Sequence, residues 1–147
     1  MVNPVVRWMA SRNNVFKINT DAAFDVFANR WVVGVIIRDA NGLVMATCIV
    51  PRPDGFSPQM ARRLAVLRGL QLAVEYNLLP AMCETDTKFV VDVIVSNVVP
   101  CSELWSVVFV ILYLLLHPSL LGVYFVHRLA NKAADGLTKA ALLLFSL

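Results

Sequence analysis

The sequence predicts an α/β fold in which helices flank a five-stranded mixed sheet. Segments with a strand-like or helix-like pattern of apolar residues follow one another in the order βββαβααβα. A turn signal early in the chain predicts an antiparallel hairpin, whereas the helices between the later strands allow parallel pairing. The 147 residues suffice for one domain with a buried core and are too few for two ordinary domains. We expect the domain to cover residues 15–143, after an N-terminal extension over 1–14 and before an apolar tail over 144–147.

Three strands open the predicted domain. Residues 15–21 alternate between apolar and polar side chains, which is typical of a strand with one buried face. Residues 31–38 are almost wholly apolar and predict a second strand. Asn41 and Gly42 are expected to supply the positive φ angles of a tight hairpin turn, so residues 43–50 should pair antiparallel with the second strand.

A helix follows these strands. Ser57 is a suitable N-cap, Pro58 suits the first helical turn, and the helix is expected to run to about Tyr76. Small residues recur along it at helical spacing and allow close packing on a sheet: Val66, Gly69 and Ala73.

The second half of the chain alternates strands with helices. We predict a fourth strand at 81–86, a short helix at 87–96, an apolar helix at 104–116, a fifth strand at 121–127 and a last helix at 131–143. Because a helix separates the fourth strand from the first three, the fourth can lie parallel to the first. The predicted strand order is therefore 3-2-1-4-5.

The apolar helix dominates the composition. Apolar residues make up 59% and charged residues 16% of the chain, against about 45–50% and about 25% in soluble domains. The excess is concentrated in a run that begins at Leu104 and ends at Leu116, which is shorter than the roughly 20 residues of a membrane span. We therefore predict no transmembrane span. We interpret the run as an unusually apolar buried helix, with contact to a membrane or a partner as the alternative. Because burial of one face leaves side chains on the other face exposed unless a partner covers them, we also expect self-association or a protein partner.

Charge and cysteine content are less informative. The net charge of +3 fits a weak attraction to polyanions and equally an ordinary, mildly basic protein. Cys48, Cys83 and Cys101 are odd in number and form no Cys-x-x-Cys pair, so they predict neither a disulfide framework nor a zinc site. The first residues lack the uninterrupted apolar stretch of a signal peptide. We expect a reducing, intracellular location, and the sequence indicates no particular compartment.

Three aspartates lie where apolar segments end: Asp21, Asp86 and Asp135. Any one of them could simply end a strand or cap a helix. If the ends of two neighbouring strands and one helical turn converge, however, the three carboxylates form a site for a hard cation such as Mg²⁺. We expect these carboxylates to lie within roughly 4–8 Å of one another. A site of this kind points to phosphodiester chemistry.

Five stretches, in the right order, resemble the ribonuclease H type 1 domain, in the plant form that is described as reverse-transcriptase-like or ribonuclease H-like. The resemblance spans about residues 15–141. The matching stretches are Lys17-Ile18-Asn19-Thr20-Asp21-Ala22-Ala23-Phe24, Gly34-Val35-Ile36-Ile37-Arg38-Asp39-Ala40-Asn41-Gly42, Ala65-Val66-Leu67-Arg68-Gly69-Leu70-Gln71-Leu72-Ala73, Glu84-Thr85-Asp86-Thr87-Lys88-Phe89-Val90-Val91-Asp92, and His127-Arg128-Leu129-Ala130-Asn131-Lys132-Ala133-Ala134-Asp135-Gly136-Leu137.

The resemblance implies hydrolysis of the RNA strand of an RNA/DNA hybrid with two divalent ions, Mg²⁺ or Mn²⁺. In that family four carboxylates hold the ions. Asp21 would bridge the two ions, while Asp86 and Asp135 would each complete the shell of one of them. The implied partner is nucleic acid, either an RNA/DNA hybrid or a structured RNA.

Three basic residues are the predicted contacts with that nucleic acid: Arg62, Arg63 and His127. His127 lies near the position where active family members often have a mobile basic residue that helps the product leave. A structural histidine is the alternative interpretation of this position.

The fourth carboxylate of the family departs from the pattern. The family has a glutamate in an Ala-Glu-x-x-Ala-Leu helix start, and Arg62 occupies that position in Ala61-Arg62-Arg63-Leu64-Ala65. A cation there should weaken the binding of Mg²⁺ or Mn²⁺ and impair hydrolysis. As a counter-ion Arg62 would lower the pKa values of the three aspartates, unless its side chain swings into solvent. Two alternatives to a hydrolase therefore stay open: a non-catalytic nucleic-acid-binding module and a protein-interaction module on the same fold.

Overall fold

The computed structural model describes residues 7–11, 14–52, 57–96 and 105–145. Five strands, four α-helices and one short 3₁₀ segment follow one another along these residues. They are β1 (Phe16–Asp25), β2 (Arg30–Arg38), β3 (Val44–Arg52), α1 (Pro58–Glu75), β4 (Ala81–Thr85), α2 (Lys88–Ser96), α3 (Trp105–Leu114), β5 (Leu120–Phe125), the 3₁₀ segment (Arg128–Asn131) and α4 (Lys132–Phe145).

The strands form one mixed sheet in the order β3-β2-β1-β4-β5. Strand β1 pairs antiparallel with β2 and β2 with β3, whereas β1 pairs parallel with β4 and β4 with β5. The predicted α/β class and the predicted strand order 3-2-1-4-5 are therefore confirmed. The order follows from the connections, because β2 and β3 return through short loops while β4 is reached through α1 and can lie parallel to β1.

The turn between β2 and β3 differs from the predicted one. Within this turn Gly42 alone has a positive φ, of 83°, so Asn41 does not adopt the left-handed conformation that a two-residue turn of this type needs. The strands are instead joined by the loop 39–43, closed by a bond of 2.9 Å from the Asp39 N–H to the Leu43 carbonyl. The Asp39 carboxylate accepts the backbone N–H groups of Asn41 and Leu43, both at 2.9 Å. This side-chain cap favours the longer loop.

Helices cover both faces of the sheet. Helix α1 begins at the predicted Ser57 cap, whose hydroxyl accepts the Met60 N–H at 3.2 Å. At Gly69 the helix approaches β1 so closely that an added Cβ would lie 2.8 Å from the side chains of Ile18 and Thr20. Helix α4 lies on the opposite face, where a Cβ at Gly34 would lie 2.5 Å from Thr138. Close packing on both faces fixes where the ends of β1 and α4 meet.

Helix α3 is buried on one side only. Ile111 is fully buried, whereas Tyr113 is 67% exposed and Leu116, just beyond the helix, is 77% exposed. An apolar helix on a domain surface leaves such side chains in water, as its sequence indicates. Within the described ranges, no helix combines the length and the apolar character that crossing a membrane requires.

We expect this exposed apolar surface to cause self-association. Replacing Tyr113 by Glu should lower the apparent mass at high protein concentration, because burying a carboxylate in a contact between copies is costly. Tyr76→Glu, at an equally exposed tyrosine after α1, is the matched control. Light scattering after gel filtration gives the measurement. A wild-type protein that stays monomeric at high concentration without detergent would contradict the prediction.

Candidate functional site

The three predicted aspartates come from neighbouring elements of the fold. Asp21 lies in β1, Asp86 directly follows β4, and Asp135 lies in the first turn of α4. Thr20 and Thr85 are partners in the parallel register of β1 and β4, so Asp21, the next residue of β1, lies beside Asp86, the first residue after β4. Asp21 and Asp135 are close enough for each carboxyl to shift the pKa of the other. The structure thus gathers the three side chains at one end of the sheet, and their spacing of roughly 4–8 Å stays a prediction.

Burial and mutual repulsion control the protonation of Asp21 and Asp86. Burial, followed by the charges of Asp86 and Asp135, raises the pKa of Asp21 to about 7, although the Ala22 N–H donates to its carboxylate at 2.9 Å. Burial also raises the pKa of Asp86, against the opposing charges of Arg128 and Arg62. The charge of Arg62 does lower the pKa of Asp86, as expected, but burial outweighs it. The expectation that the pKa values of Asp21 and Asp86 fall below their ordinary value is therefore wrong.

Asp135 behaves differently, because two cations bind its carboxylate. Lys139 Nζ lies 2.9 Å from Asp135 Oδ2, and Arg128 Nη2 lies 3.5 Å from Oδ1. Burial alone would raise the pKa of Asp135, but the Lys139 bond and the charges of Lys139 and Arg128 lower it. The pKa of Asp135 is therefore lowered, as expected. The cations that lower it are Lys139 and Arg128, however, and not Arg62.

Arg62 and Arg63 occupy different environments on α1. The exposed Arg62 lines a cavity of about 330 Å³ together with six other residues: Asp21, Ala22, Asp86, Thr87, Lys88 and Arg128. Arg63 is buried, with 1% of its surface exposed, and its guanidinium lies 5.1 Å from the centroid of the Phe89 ring. Burial lowers the pKa of Arg63. Its position does not support the predicted contact of Arg63 with nucleic acid, because consecutive helical residues point in directions about 100° apart.

His127 has a local structural role. Its Nδ1 accepts the Leu129 N–H at 3.3 Å and so caps the 3₁₀ segment that leads into α4. This contact favours the alternative of a structural histidine. The side chain is nonetheless exposed, and its contact with nucleic acid stays a prediction.

Sequence reasoning missed Arg128, Lys88 and Lys139. Lys139 lies four residues after Asp135 on a helix, a spacing that favours an ion pair and could have identified it. Arg128 and Lys88 have no such local signal. They reach the cavity only because the 3₁₀ segment and the start of α2 lie beside Asp21 in β1 and Asp86 after β4.

A buried amide network holds the start of α4 against β1. Asn131 Nδ2 donates to the Thr20 carbonyl at 3.0 Å, and Asn19 Nδ2 donates to Asn131 Oδ1 at 3.1 Å and to Glu84 Oε1 at 3.0 Å. Both asparagines are fully buried. The network therefore sets the position of Asp135, four residues further along the chain, relative to Asp21.

The network continues into the predicted N-terminal extension. Trp8 Nε1 and Arg38 Nη2 both donate to Asn19 Oδ1 at 3.0 Å. The Arg38 guanidinium lies 3.6 Å from the centroid of the Trp8 ring, which is close enough for a cation–π contact. Lys17 Nζ lies 3.4 Å from Glu84 Oε2 and supplies the counter-charge of that buried carboxylate.

The side chains of the site do not fit the pair of divalent ions that the resemblance implies. Among the residues that the structure describes, no group of three His, Cys, Asp or Glu side chains is arranged to hold a metal ion. Both oxygens of Asp135 already contact cations, and two guanidinium groups, of Arg62 and Arg128, face the cavity beside Asp21 and Asp86. Cations at these positions repel a divalent ion.

Several solved structures with the same fold are ribonucleases H. The protein is similar to RNase H1 from the halophilic archaeon Halobacterium salinarum, at 18% identity and a TM-score of 0.75 over 86% of this chain and 96% of that one. It is also similar to LC11-RNase H1, isolated from compost, in complex with an RNA/DNA hybrid, at 19% identity and a TM-score of 0.72 over 86% and 99% of the two chains. The N-terminal RNase H domain of Rv2228c from Mycobacterium tuberculosis matches at 19% identity and a TM-score of 0.66, over 88% and 99%. The fold is therefore that of ribonuclease H.

The model of the reverse transcriptase-like family matches residues 19–141. The chain belongs to this ribonuclease H-like family, as the five quoted stretches indicate. No curated protein matches the sequence.

Proposed function

We propose that this chain is a ribonuclease H-type domain that binds nucleic acid at the cavity beside Asp21 and Asp86, and that it hydrolyses the RNA strand of RNA/DNA hybrids weakly. One observation carries the proposal: Arg62, from the helix that provides the family's glutamate, faces the same cavity as both aspartates. Cations in a cleft attract the phosphate backbone of nucleic acids. The hybrid bound to LC11-RNase H1, a protein of the same fold, supports an RNA/DNA hybrid as the ligand.

The weakness of hydrolysis follows from the charges around the site. In the family, two divalent ions activate the attacking water and stabilise the leaving oxygen. Here Arg62 replaces a carboxylate, Lys139 and Arg128 occupy both oxygens of Asp135, and burial keeps Asp21 partly protonated at neutral pH. Each of these features lowers the affinity for Mg²⁺ or Mn²⁺.

A non-catalytic nucleic-acid-binding module is the second candidate. The carboxylate of Asp135, bound on both oxygens by cations, favours it. The two candidates differ in one measurable respect, because the hydrolase keeps a residual cleavage that Asp21→Asn removes, whereas the binding module has none.

Replacing Arg62 by Glu is expected to restore part of the hydrolysis. The substitution removes a cation from the cavity and returns a carboxylate to the helix, so affinity for Mg²⁺ should rise and cleavage of a labelled RNA/DNA hybrid should increase by about tenfold or more. Calorimetric titration with Mg²⁺ or Mn²⁺ and a cleavage gel give the two measurements.

Arg68→Glu is the matched control for this experiment. Arg68 lies on the same helix, pairs with Glu75 at 3.3 Å and does not line the cavity. Its replacement should leave metal affinity and cleavage at their wild-type levels. Rapid cleavage by the wild-type protein that is abolished by Asp21→Asn would show that the glutamate position is dispensable and would refute the proposed weakness.

A further inference from the structure

Three cations from separate elements face the cavity beside Asp21 and Asp86. Arg62 comes from α1, Lys88 is the first residue of α2, and Arg128 begins the 3₁₀ segment. Within the described residues, Arg62 and Lys88 form no ion pair with a carboxylate. Three cationic side chains thus face two carboxylates in a volume of about 330 Å³, which lies at the lower end of the range of small-ligand sites, roughly 300–1,000 Å³. Arg128 also contacts Asp135 at 3.5 Å, so Arg62 and Lys88 are the two cations of the lining that no ion pair neutralises among the described residues.

The start of α2 adds to the positive potential at this cavity. Helix α2 begins at Lys88, has nine residues and has no acidic residue in its first turn. The first N–H groups of a helix have no partner within the helix, and the helix dipole places a partial positive charge there. An anion in the cavity would lie next to this helix end.

A buried guanidinium lies behind the same helix start. Arg63 contacts the Phe89 ring, and its Nε has no hydrogen-bond partner among the described residues. No ion pair with a described carboxylate offsets its charge. A buried cation without such compensation further favours an anion on the cavity side of α2.

We propose that Arg62, Lys88 and Arg128 form a phosphate clamp, which binds a backbone phosphate of nucleic acid directly and without a divalent ion. This inference rests on the proposed function, since it concerns the same cavity, and it adds the way in which the ligand is bound. In a site made only of carboxylates, a metal ion must bridge the protein and the phosphate, because the two are both negative. A guanidinium can replace that bridge, since its planar fork donates two hydrogen bonds to two phosphate oxygens.

Binding to a fluorescent RNA/DNA hybrid in EDTA and in Mg²⁺ tests the clamp. We expect the wild-type affinity to be the same in both buffers within about twofold, whereas Arg62→Gln and Lys88→Gln should each weaken binding by about tenfold in both. The slope of log affinity against log salt concentration should fall by roughly 0.7–0.9 for each lost phosphate contact. Arg68→Gln, on the same helix but away from the cavity, should bind like the wild type. Circular dichroism confirms that the variants are folded, and a gel gives the fraction of the RNA strand that stays intact in Mg²⁺ during the binding measurement.

Arg62→Glu provides a test in the opposite direction. This variant should bind the hybrid weakly in EDTA and regain affinity in Mg²⁺, because the metal ion again has to bridge carboxylate and phosphate. Wild-type binding that requires Mg²⁺ would overturn the clamp. Arg62→Gln binding as tightly as the wild type in EDTA would also overturn it, while leaving nucleic-acid binding itself intact.

Measuring the binding of inorganic phosphate distinguishes a failure of the clamp from a failure of the proposed function. If the wild-type protein binds no hybrid in either buffer, the proposed function is refuted. Calorimetric binding of inorganic phosphate that Arg62→Gln abolishes would then support the clamp for a free phosphate in place of a nucleic acid. A wild-type protein that binds neither hybrid nor phosphate would refute the clamp as well.

Discussion

Asn19→Ala is expected to lower the free energy of unfolding by about 3–5 kcal/mol. Asn19 is fully buried and joins Trp8, Arg38, Glu84 and Asn131 through hydrogen bonds of 3.0–3.1 Å. Alanine would leave buried donors and acceptors unpaired on several partners at once, and each unpaired group costs about 1–3 kcal/mol. Urea denaturation followed by circular dichroism measures the loss.

Asn41→Ala is the matched control for this prediction. Asn41 is exposed in the loop between β2 and β3, and its backbone N–H bond to Asp39 survives the substitution. Asn41→Ala should change the free energy of unfolding by no more than about 0.5 kcal/mol. If Asn19→Ala lowered the free energy of unfolding by less than about 1 kcal/mol, the network would have to rearrange around the space left by the Asn19 side chain. In that case Asp135 would not depend on Asn19 and Asn131 for its position.

Asp21→Asn is expected to make the protein more stable at pH 8 and to leave its stability unchanged below about pH 4. The pKa of Asp21 is about 7 in the folded protein, against an ordinary value of 3.8. Between these values the native state keeps a proton that the unfolded chain has released, so stability falls as pH rises through this window. One pKa unit corresponds to about 1.4 kcal/mol, and we expect a gain of about 1–3 kcal/mol at pH 8.

Thermal unfolding of both proteins between pH 4 and pH 8 measures this effect. Asp92→Asn is the control, because it makes the same substitution on an exposed position of α2; this variant should keep the wild-type dependence on pH. If Asp21→Asn and the wild type kept the same difference in stability from pH 4 to pH 8, Asp21 would be ionised throughout. The buried carboxyl would then be as available to a cation as the family resemblance implies.

The sequence by itself determined the sheet and the positions of the aspartates. Two short loops and one helical crossover allow few arrangements, so the strand order could be predicted from the order of the elements. The quoted stretches identify Asp21, Asp86 and Asp135, and the fold brings the three to one site. The predicted end of the first strand at Asp21 is wrong, because β1 stays paired with β2 as far as Asp25. Arg62 was also visible in the sequence, since it interrupts a motif at a fixed distance from the Ser57 cap.

Only the tertiary structure decided the pKa of Asp21 and which cations reach the cavity. The pKa of Asp21 depends on burial, which is set by packing between β1 and the helices and is not visible in any local pattern. Arg128 and Lys88 became part of the site because distant segments meet at one end of the sheet. The rotation of α1 on the sheet placed Arg62 at the cavity and buried Arg63 beneath Phe89. Periodicity shows that a helix has a buried side, but the surfaces that it packs against decide which of two neighbouring arginines reaches the solvent.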